Sequence, residues 1–235
     1  MTPIPHTLRL LGASLLALAT LLALTPTATA DTGRTATPTP TADDTVEIMA
    51  GDAVYGANTR CTIGATVMTA DGTGGFLTTA TCGRVGATVT LANGQRGTVV
   101  WSDRDGDGVA FVRGREDWIL TPYARRYQGG GPLLIRGSQE ADVGADVCRS
   151  GTTTGWHCGT IQAKNQTIPY PWRLRGMTRT DACGEPGDDG GPFYSGSQLQ
   201  GILIAGSGNC RIGGITHFKP IAPVLQKHDL RLITG

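Results

Sequence analysis

Cys183-Gly-Glu-Pro-Gly-Asp-Asp-Gly-Gly-Pro-Phe-Tyr-Ser-Gly196 is the stretch on which the reading of this chain turns. A Gly-Asp-X-Gly-Gly-Pro turn, here Gly187 to Pro192, lifts residue X to its apex. The bracketing glycines let backbone N–H groups point to one side, a geometry able to hold an oxyanion. Gly187, Asp188 and Asp189 form that candidate hole, and the apex residue is Asp189. Its carboxylate can itself accept the N–H groups of the turn, that of Gly187 included.

Outward from the turn the chain is written in short runs rich in Val, Ile and Thr, punctuated by Gly, Asn and Asp. They include CTIGATVMTA, GGFLTTATC, ATVTLANGQRGTVVW, GVAFVR, PLLIRG, GTIQAK, LQGILIAG and GGITHF. Evenly spaced short strands with frequent glycine turns predict an all-β sandwich or barrel. Asn93-Gly94 is the clearest hairpin signal, and a primed turn is expected there. Only the tail PIAPVLQKHDLRL looks helical, with Ile221, Val224, Leu225 and His228 on one face. Pro220 and Pro223 are tolerable because they fall before or within its first turn.

The chain has 235 residues, a net charge of +1, 35 glycines and 17% charged residues, which suits one compact domain behind a removable segment. Residues 1–30 read as a signal peptide: His6 and Arg9, an apolar run from Leu10 to Leu24, then a small-residue exit at Ala28-Thr29-Ala30. The apolar run is too short and wrongly flanked for a membrane span. Residues 31–45 lack apolar bulk and read as a flexible leader; the domain occupies 46–235. A secreted, monomeric protein follows. No basic stripe suggests nucleic acid, since Arg125-Arg126 beside Tyr127 is a short solvated loop.

Export makes six cysteines a disulfide framework. Cys61, Cys82, Cys148, Cys158, Cys183 and Cys210 fall in three sequential couples, and nearest-neighbour pairing is the simplest of the possible connectivities.

The Gly187–Pro192 turn resembles the Gly-Asp-Ser-Gly-Gly-Pro of the streptogrisin and alpha-lytic branch of the trypsin-like serine peptidases. The resemblance runs from Met49 to Leu232 and is carried also by GDAVYG, by CRSGTTTGWHCGTI from Cys148, by GSGNC ending at Cys210, and by cysteines at the family's three bridges. It implies two six-stranded antiparallel β-barrels with the cleft between them, a short C-terminal helix, and no cofactor.

The same resemblance implies that the catalytic positions are substituted. Asp189 stands where the family has its nucleophilic serine. Thr81, in Leu77-Thr78-Thr79-Ala80-Thr81-Cys82, stands at the histidine of Leu-Thr-Ala-Gly-His-Cys, and Gly108 stands at the aspartate of Asp-x-Ala-x-Val. Ile204 replaces a serine that supports that aspartate. Asp107 is one residue off, and the step along a strand end turns its side chain away. The family's long pro-region has no counterpart in the roughly fifteen residues of leader.

A peptidase homologue without its triad is therefore expected, holding extended peptide or a protein protease inhibitor by strand addition along Ala205-Gly206-Ser207. Ile204 and Ala205 are expected to narrow its primary pocket. Two other readings remain. One is a hydrolase with a non-standard centre, Asp189 with Asp107 or His217. The other is a calcium-stabilised extracellular protein, because Asp103-Arg104-Asp105-Gly106-Asp107-Gly108 opens like a calcium loop but has Gly114 at its twelfth position. His157 and His228 are read as packing residues.

Overall fold

The computed structural model describes residues 45–169 and 173–235, so the expected signal peptide and all but the last residue of the leader lie outside the described residues. The N-terminal half contributes β1 (Val46–Ala50), β2 (Ala53–Tyr55), β3 (Arg60–Thr62), β4 (Ala65–Thr69), β5 (Gly74–Thr79), β6 (Thr88–Leu91), β7 (Arg96–Asp103), β8 (Val109–Arg113), β9 (Trp118–Ala124) and β10 (Leu133–Leu134). The C-terminal half contributes β11 (Asp146–Gly151), β12 (Gly155–Ile168), β13 (Leu174–Thr180), β14 (Pro192–Ser195), β15 (Gln198–Asn209) and β16 (Gly213–Pro220). Helix α1 (Ile221–Lys227) and β17 (Leu230–Leu232) follow.

Strands β11-β12-β13-β16-β15-β14 close into a six-stranded barrel. The other half is a barrel-like sheet of eight strands, β17-β4-β5-β8-β7-β6-β2-β3, rather than six; one of the added strands is β17, which returns from the chain's end to pair with β4. Strands β1, β9 and β10 make a separate small sheet in which β1 runs parallel to β9. The chymotrypsin-like architecture is therefore present, with unequal halves.

Strand β8 reads Val109-Ala110-Phe111-Val112-Arg113, and its four apolar residues are all buried between β5 and β7. That is the pattern of a central strand covered on both faces. An apolar cluster joins the halves: Ala65, Leu77, Val109 and Phe111 meet Tyr194, Leu199 and Ile202, with Ile221 and Val224 of α1 against them. Each large side chain removed from water there contributes about 2 kcal/mol. Three disulfides, Cys61–Cys82, Cys148–Cys158 and Cys183–Cys210, pair nearest neighbours.

Two local expectations need correction. The helix ends at Lys227, not at Leu232: Asp229 takes a positive φ of 48°, and Leu230 and Leu232 then alternate inward as a strand. At Asn93-Gly94 a hairpin does form, but only Gly94 has positive φ. Gly94 N–H donates to Leu91 O at 2.9 Å and Leu91 N–H to Gln95 O at 2.8 Å. This is a three-residue loop with a left-handed closing residue, not a primed two-residue turn.

Candidate active site

The Gly187–Pro192 turn is stitched to both halves. Thr62 N–H donates to Asp189 O, Gly190 N–H to Leu203 O and Leu203 N–H to Gly191 O, each at 2.8 Å. Beneath the apex the Asp188 carboxylate is fully buried and saturated. Its Oδ1 accepts the N–H groups of Thr153 at 2.8 Å and Thr154 at 3.1 Å; its Oδ2 accepts the Thr154 hydroxyl at 2.7 Å and Glu185 N–H at 3.0 Å. Arg149 Nη2 lies 3.2 Å from Oδ2, and neither side chain has any exposed surface.

Burial pushes the Asp188 carboxyl up, but Arg149 and the donated N–H and hydroxyl groups outweigh it and hold the group below the usual carboxylate range. Burial likewise draws the Arg149 guanidinium down against the pull of Asp188. The Arg149 Nε–H also donates to Cys183 O at 2.9 Å, so one side chain ties Asp188 to the segment that leads into the turn. Sequence reading singled out Asp188 but missed Arg149, although Arg149 lies inside the CRSGTTTGWHCGTI stretch.

Asp189 is half-buried at the apex. Burial and then the neighbouring charge of Asp188 push its carboxyl up to about 6, while the N–H groups of Gly187 and of Asp189 itself pull the other way. At pH 7 that carboxylate is mostly ionised, and at pH 5 it is mostly a neutral acid.

Thr81 is exposed on a short 3-10 turn, Ala80–Cys82, at the end of β5, its hydroxyl 3.1 Å from that of Thr79. Ala80 N–H donates to Gly108 O at 2.7 Å, joining the segments of Thr81 and Gly108. The apex turn is pressed onto the same place: a Cβ on Gly190 would stand 2.3 Å from the Thr78 hydroxyl and 2.9 Å from Thr79 N. The segments of Gly108 and Asp189 therefore both touch the end of β5 that leads into Thr81.

Gly108 has φ +74°, and a Cβ there would meet Ile204 Cγ2 at 2.8 Å and Leu174 Cδ1 at 3.1 Å. Ile204 belongs to a small apolar cluster with Ile168, Leu174, Met177 and Ala205. A side chain at Gly108 would thus run into an isoleucine.

Asp107 takes no part in that cluster. Its oxygens lie 2.8 Å from Lys219 Nζ and 2.8 Å from Lys227 Nζ, with His228 Nε2 at 3.8 Å. Burial raises its carboxyl, and the two lysines more than offset this to leave it below the usual range. Lys227 also bridges to Asp103, so two of the three carboxylates of the candidate calcium loop already hold ammonium groups; the third, Asp105, is exposed.

The histidines lie elsewhere. His157 Nε2 is 3.0 Å from Thr154 O. His228, which caps α1 rather than lying within it, stacks on Trp101 with centroids 3.8 Å apart. His217 on β16 pairs across to Ala205, and burial together with Arg179 lowers its pKa.

Along β15, Ala205, Gly206 and Ser207 pair on one side with His217, Thr216 and Ile215 of β16. On the other side β14 reaches only as far as Ile202, and Leu203 bonds to the apex turn. Beyond it, no strand among the described residues covers the opposite edge, and Gly206 and Ser207 are exposed.

A model of the trypsin family matches residues 48–227. Streptogrisin-C of Streptomyces griseus is 47% identical over 192 residues, which cover 80% of this chain and 42% of that protein; the chain thus spans less than half of that curated relative. Serine protease 2 of Streptomyces fradiae is 34% identical and is covered over 100% of its length. Among solved structures, Thermobifida fusca protease A superposes with a TM-score of 0.76 at 46% identity, over 81% of this chain and all of that one. Nocardiopsis protease gives 0.77 at 46%, over 80% of this chain and all of that one.

Proposed function

Since this chain belongs to the trypsin family of serine peptidases yet carries Asp189 at the turn's apex, we propose that it is a secreted homologue that has lost serine-type hydrolysis and uses its cleft to hold extended peptide or a protein protease inhibitor. The observation that carries this reading is the half-buried carboxyl of Asp189 at the apex of the Gly187–Pro192 turn, where the resemblance places a nucleophilic serine. Serine hydrolysis needs an alkoxide formed by an imidazole base and empty N–H donors for the oxyanion. Here the apex carries a carboxylate, Thr81 stands where the resemblance puts the imidazole, and Ile204 would lie 2.8 Å from a Cβ on Gly108.

Attack by Asp189 on an amide would join its oxygen to the carbonyl carbon as an anhydride and expel an amine, with no proton donor at Thr81. Loss of a whole triad costs on the order of 10⁶ in turnover. Peptide binding, in contrast, needs only the main chain of Ala205–Ser207. Export through a signal peptide at 1–30 belongs to the same proposal; three disulfides support it.

The test is incubation of the purified protein with a serine-directed phosphonate and with casein, beside titration with extended peptides and protein protease inhibitors. No labelling, no digestion and saturable binding are expected. Stoichiometric labelling would overturn the loss of chemistry, and absence of any binding at high micromolar concentration would overturn the cleft reading.

One observation favours a second reading, a hydrolase with a non-standard centre: a carboxyl poised near 6 in a cleft is the kind of group enzymes use for proton transfer. Asp107 is an unsuitable partner because Lys219 and Lys227 hold it. Turnover of peptide or ester substrates that vanishes in Asp189→Ala would establish this alternative.

A further inference from the structure

A cavity of about 450 Å³ opens between the Asp105–Asp107 loop and the start of β13, lined by Asp105, Gly106, Asp107, Arg173, Arg175 and Lys219. Its charges are unevenly committed. Lys219, nine-tenths buried, gives its ammonium to Asp107 at 2.8 Å and to Arg175 O at 3.1 Å, and Asp107 is further held by Lys227. Arg173 and Arg175 are exposed and make no ion pair among the described residues; the one uncommitted carboxylate facing them is that of Asp105. Two guanidinium groups thus line a concave site with one acid to offset them.

The cavity lies near the start of the free strand edge: a Cβ on Gly108, the residue after its Asp107, would meet Ile204 Cγ2 at 2.8 Å. Arg173 and Arg175 flank Leu174, which is buried against Ile204 and Ala205, the first residues of that edge. Arg173, just before β13, and Arg175 within it both line the cavity. Guanidinium forks match carboxylates in two parallel hydrogen bonds, a geometry no neutral side chain reproduces.

Resting on the reading that the cleft holds extended peptide, we infer that its ligand is an acidic one, with a glutamate or aspartate side chain received by Arg173 and Arg175. Alternate residues of an extended chain lie roughly 7 Å apart, so one peptide can reach both the edge and the cavity. The Asp189 carboxylate repels an acid placed at the centre of the cleft. The acidic preference therefore belongs to one position of the peptide and not to its whole length.

The experiment uses the full chain and fluorescein-labelled, N-acetylated hexapeptides in which a single glutamate is walked along an otherwise neutral sequence, each paired with its glutamine twin. Fluorescence polarisation is expected to show one position where glutamate binds about 10-fold tighter than glutamine, a gap that narrows as salt rises. In Arg173→Gln/Arg175→Gln the gap closes while the glutamine peptide binds as before, with an unchanged melting temperature. Equal binding of both twins at every position, or a gap that persists in the double variant, overturns the inference and leaves the cleft reading standing. Binding of neither twin anywhere overturns the cleft reading itself, and this inference with it.

Discussion

Two neighbouring residues of one turn have opposite surroundings. Asp188 faces inward, where Arg149, Thr153, Thr154 and Glu185 supply every hydrogen bond its oxygens can take, and its carboxyl is held below the usual range. Asp189 faces the cleft, where burial and the charge of Asp188 raise its carboxyl to about 6 against two backbone N–H groups. The inner residue belongs to machinery that shapes the turn; the outer one stands where the family's chemistry would act. A buried ion pair left incomplete is costly, so the intact inner side shows a turn that is still fully supported, while on the proposed reading the outer side carries Thr81 and Gly108 in place of an imidazole and an aspartate. On the proposed reading the binding surface outlasts the chemistry, because strand addition needs only the main chain of Ala205–Ser207.

The largest effect that would break this contrast is restored hydrolysis. Thr81→His, Gly108→Asp and Asp189→Ser together are expected to give no activity, because a side chain at Gly108 runs into Ile204 Cγ2. Adding Ile204→Ser removes the obstruction, and turnover of a chromogenic peptide is expected to rise by at least about 10³-fold over the parent, part of the roughly 10⁶ that a triad supplies. A positive φ at Gly108 holds the gain below the full value, since an aspartate there is strained by about 1 kcal/mol. Equal activity of the triple and quadruple variants would mean that Ile204 is not the obstacle.

Next in size is the inner side. Arg149→Ala leaves the Asp188 carboxylate buried with its counter-charge gone, which costs about 3–5 kcal/mol. Urea denaturation is the measurement, and a loss below about 1 kcal/mol would mean that water or another cation reaches Asp188.

How much of this was open to a reader of the sequence follows from the range of each interaction. The strands, the glycine turn and the three cysteine couples were legible because alternation, positive-φ residues and close pairing leave local marks. The expectation that positions 81, 108 and 189 are substituted rests on resemblance alone, since nothing in Thr81 or Gly108 by itself speaks of a lost base. Arg149 was hidden: it meets Asp188 across the barrel, and no spacing encodes that. The break at Asp229 was hidden because Leu230 and Leu232 fit a helix face as well as a strand until the turn before them is known. Lys219 and Lys227, which engage the acidic loop that reads like a calcium site, come from β16 and α1, far along the chain.

The outer side makes a smaller, pH-dependent claim. The folded Asp189 carboxyl, at about 6, holds its proton more tightly than the unfolded one at about 4. Between those values the folded state binds more protons, so stability falls as pH rises through the window and the full penalty is present above about 6. Asp189→Asn is therefore expected to be more stable than the parent by on the order of 2 kcal/mol at pH 7.5 and about equal to it at pH 4. Asp188 has the opposite sign: its contribution is present above the unfolded value and is lost as pH falls below it. Urea curves at the two pH values separate these, and an Asp189→Asn variant no more stable than the parent at pH 7.5 would show that the turn's N–H groups already satisfy the carboxylate.

The smallest effect lies outside the turn, at the acidic loop beside Gly108. Lys227 reaches from α1 to Asp103 and Asp107, but half of its side chain is exposed, and ion pairs of that kind contribute about 1 kcal/mol or less. Lys227→Ala is expected to lower the melting temperature by only a few degrees, and less at high salt. Because Lys219 keeps its 2.8 Å contact with Asp107, the loop stays folded in the variant. The same variant tests the loop as a calcium site. With both lysines in place, millimolar calcium is expected to leave the parent's melting temperature unchanged, since an incoming ion must displace ammonium groups from Asp103 and Asp107 without a bidentate acid at Gly114 to compensate. A calcium-dependent rise in the parent would show that the ion outcompetes Lys227. The loop would then be held by metal, and its geometry beside Gly108 would respond to calcium as well as to packing against Ile204.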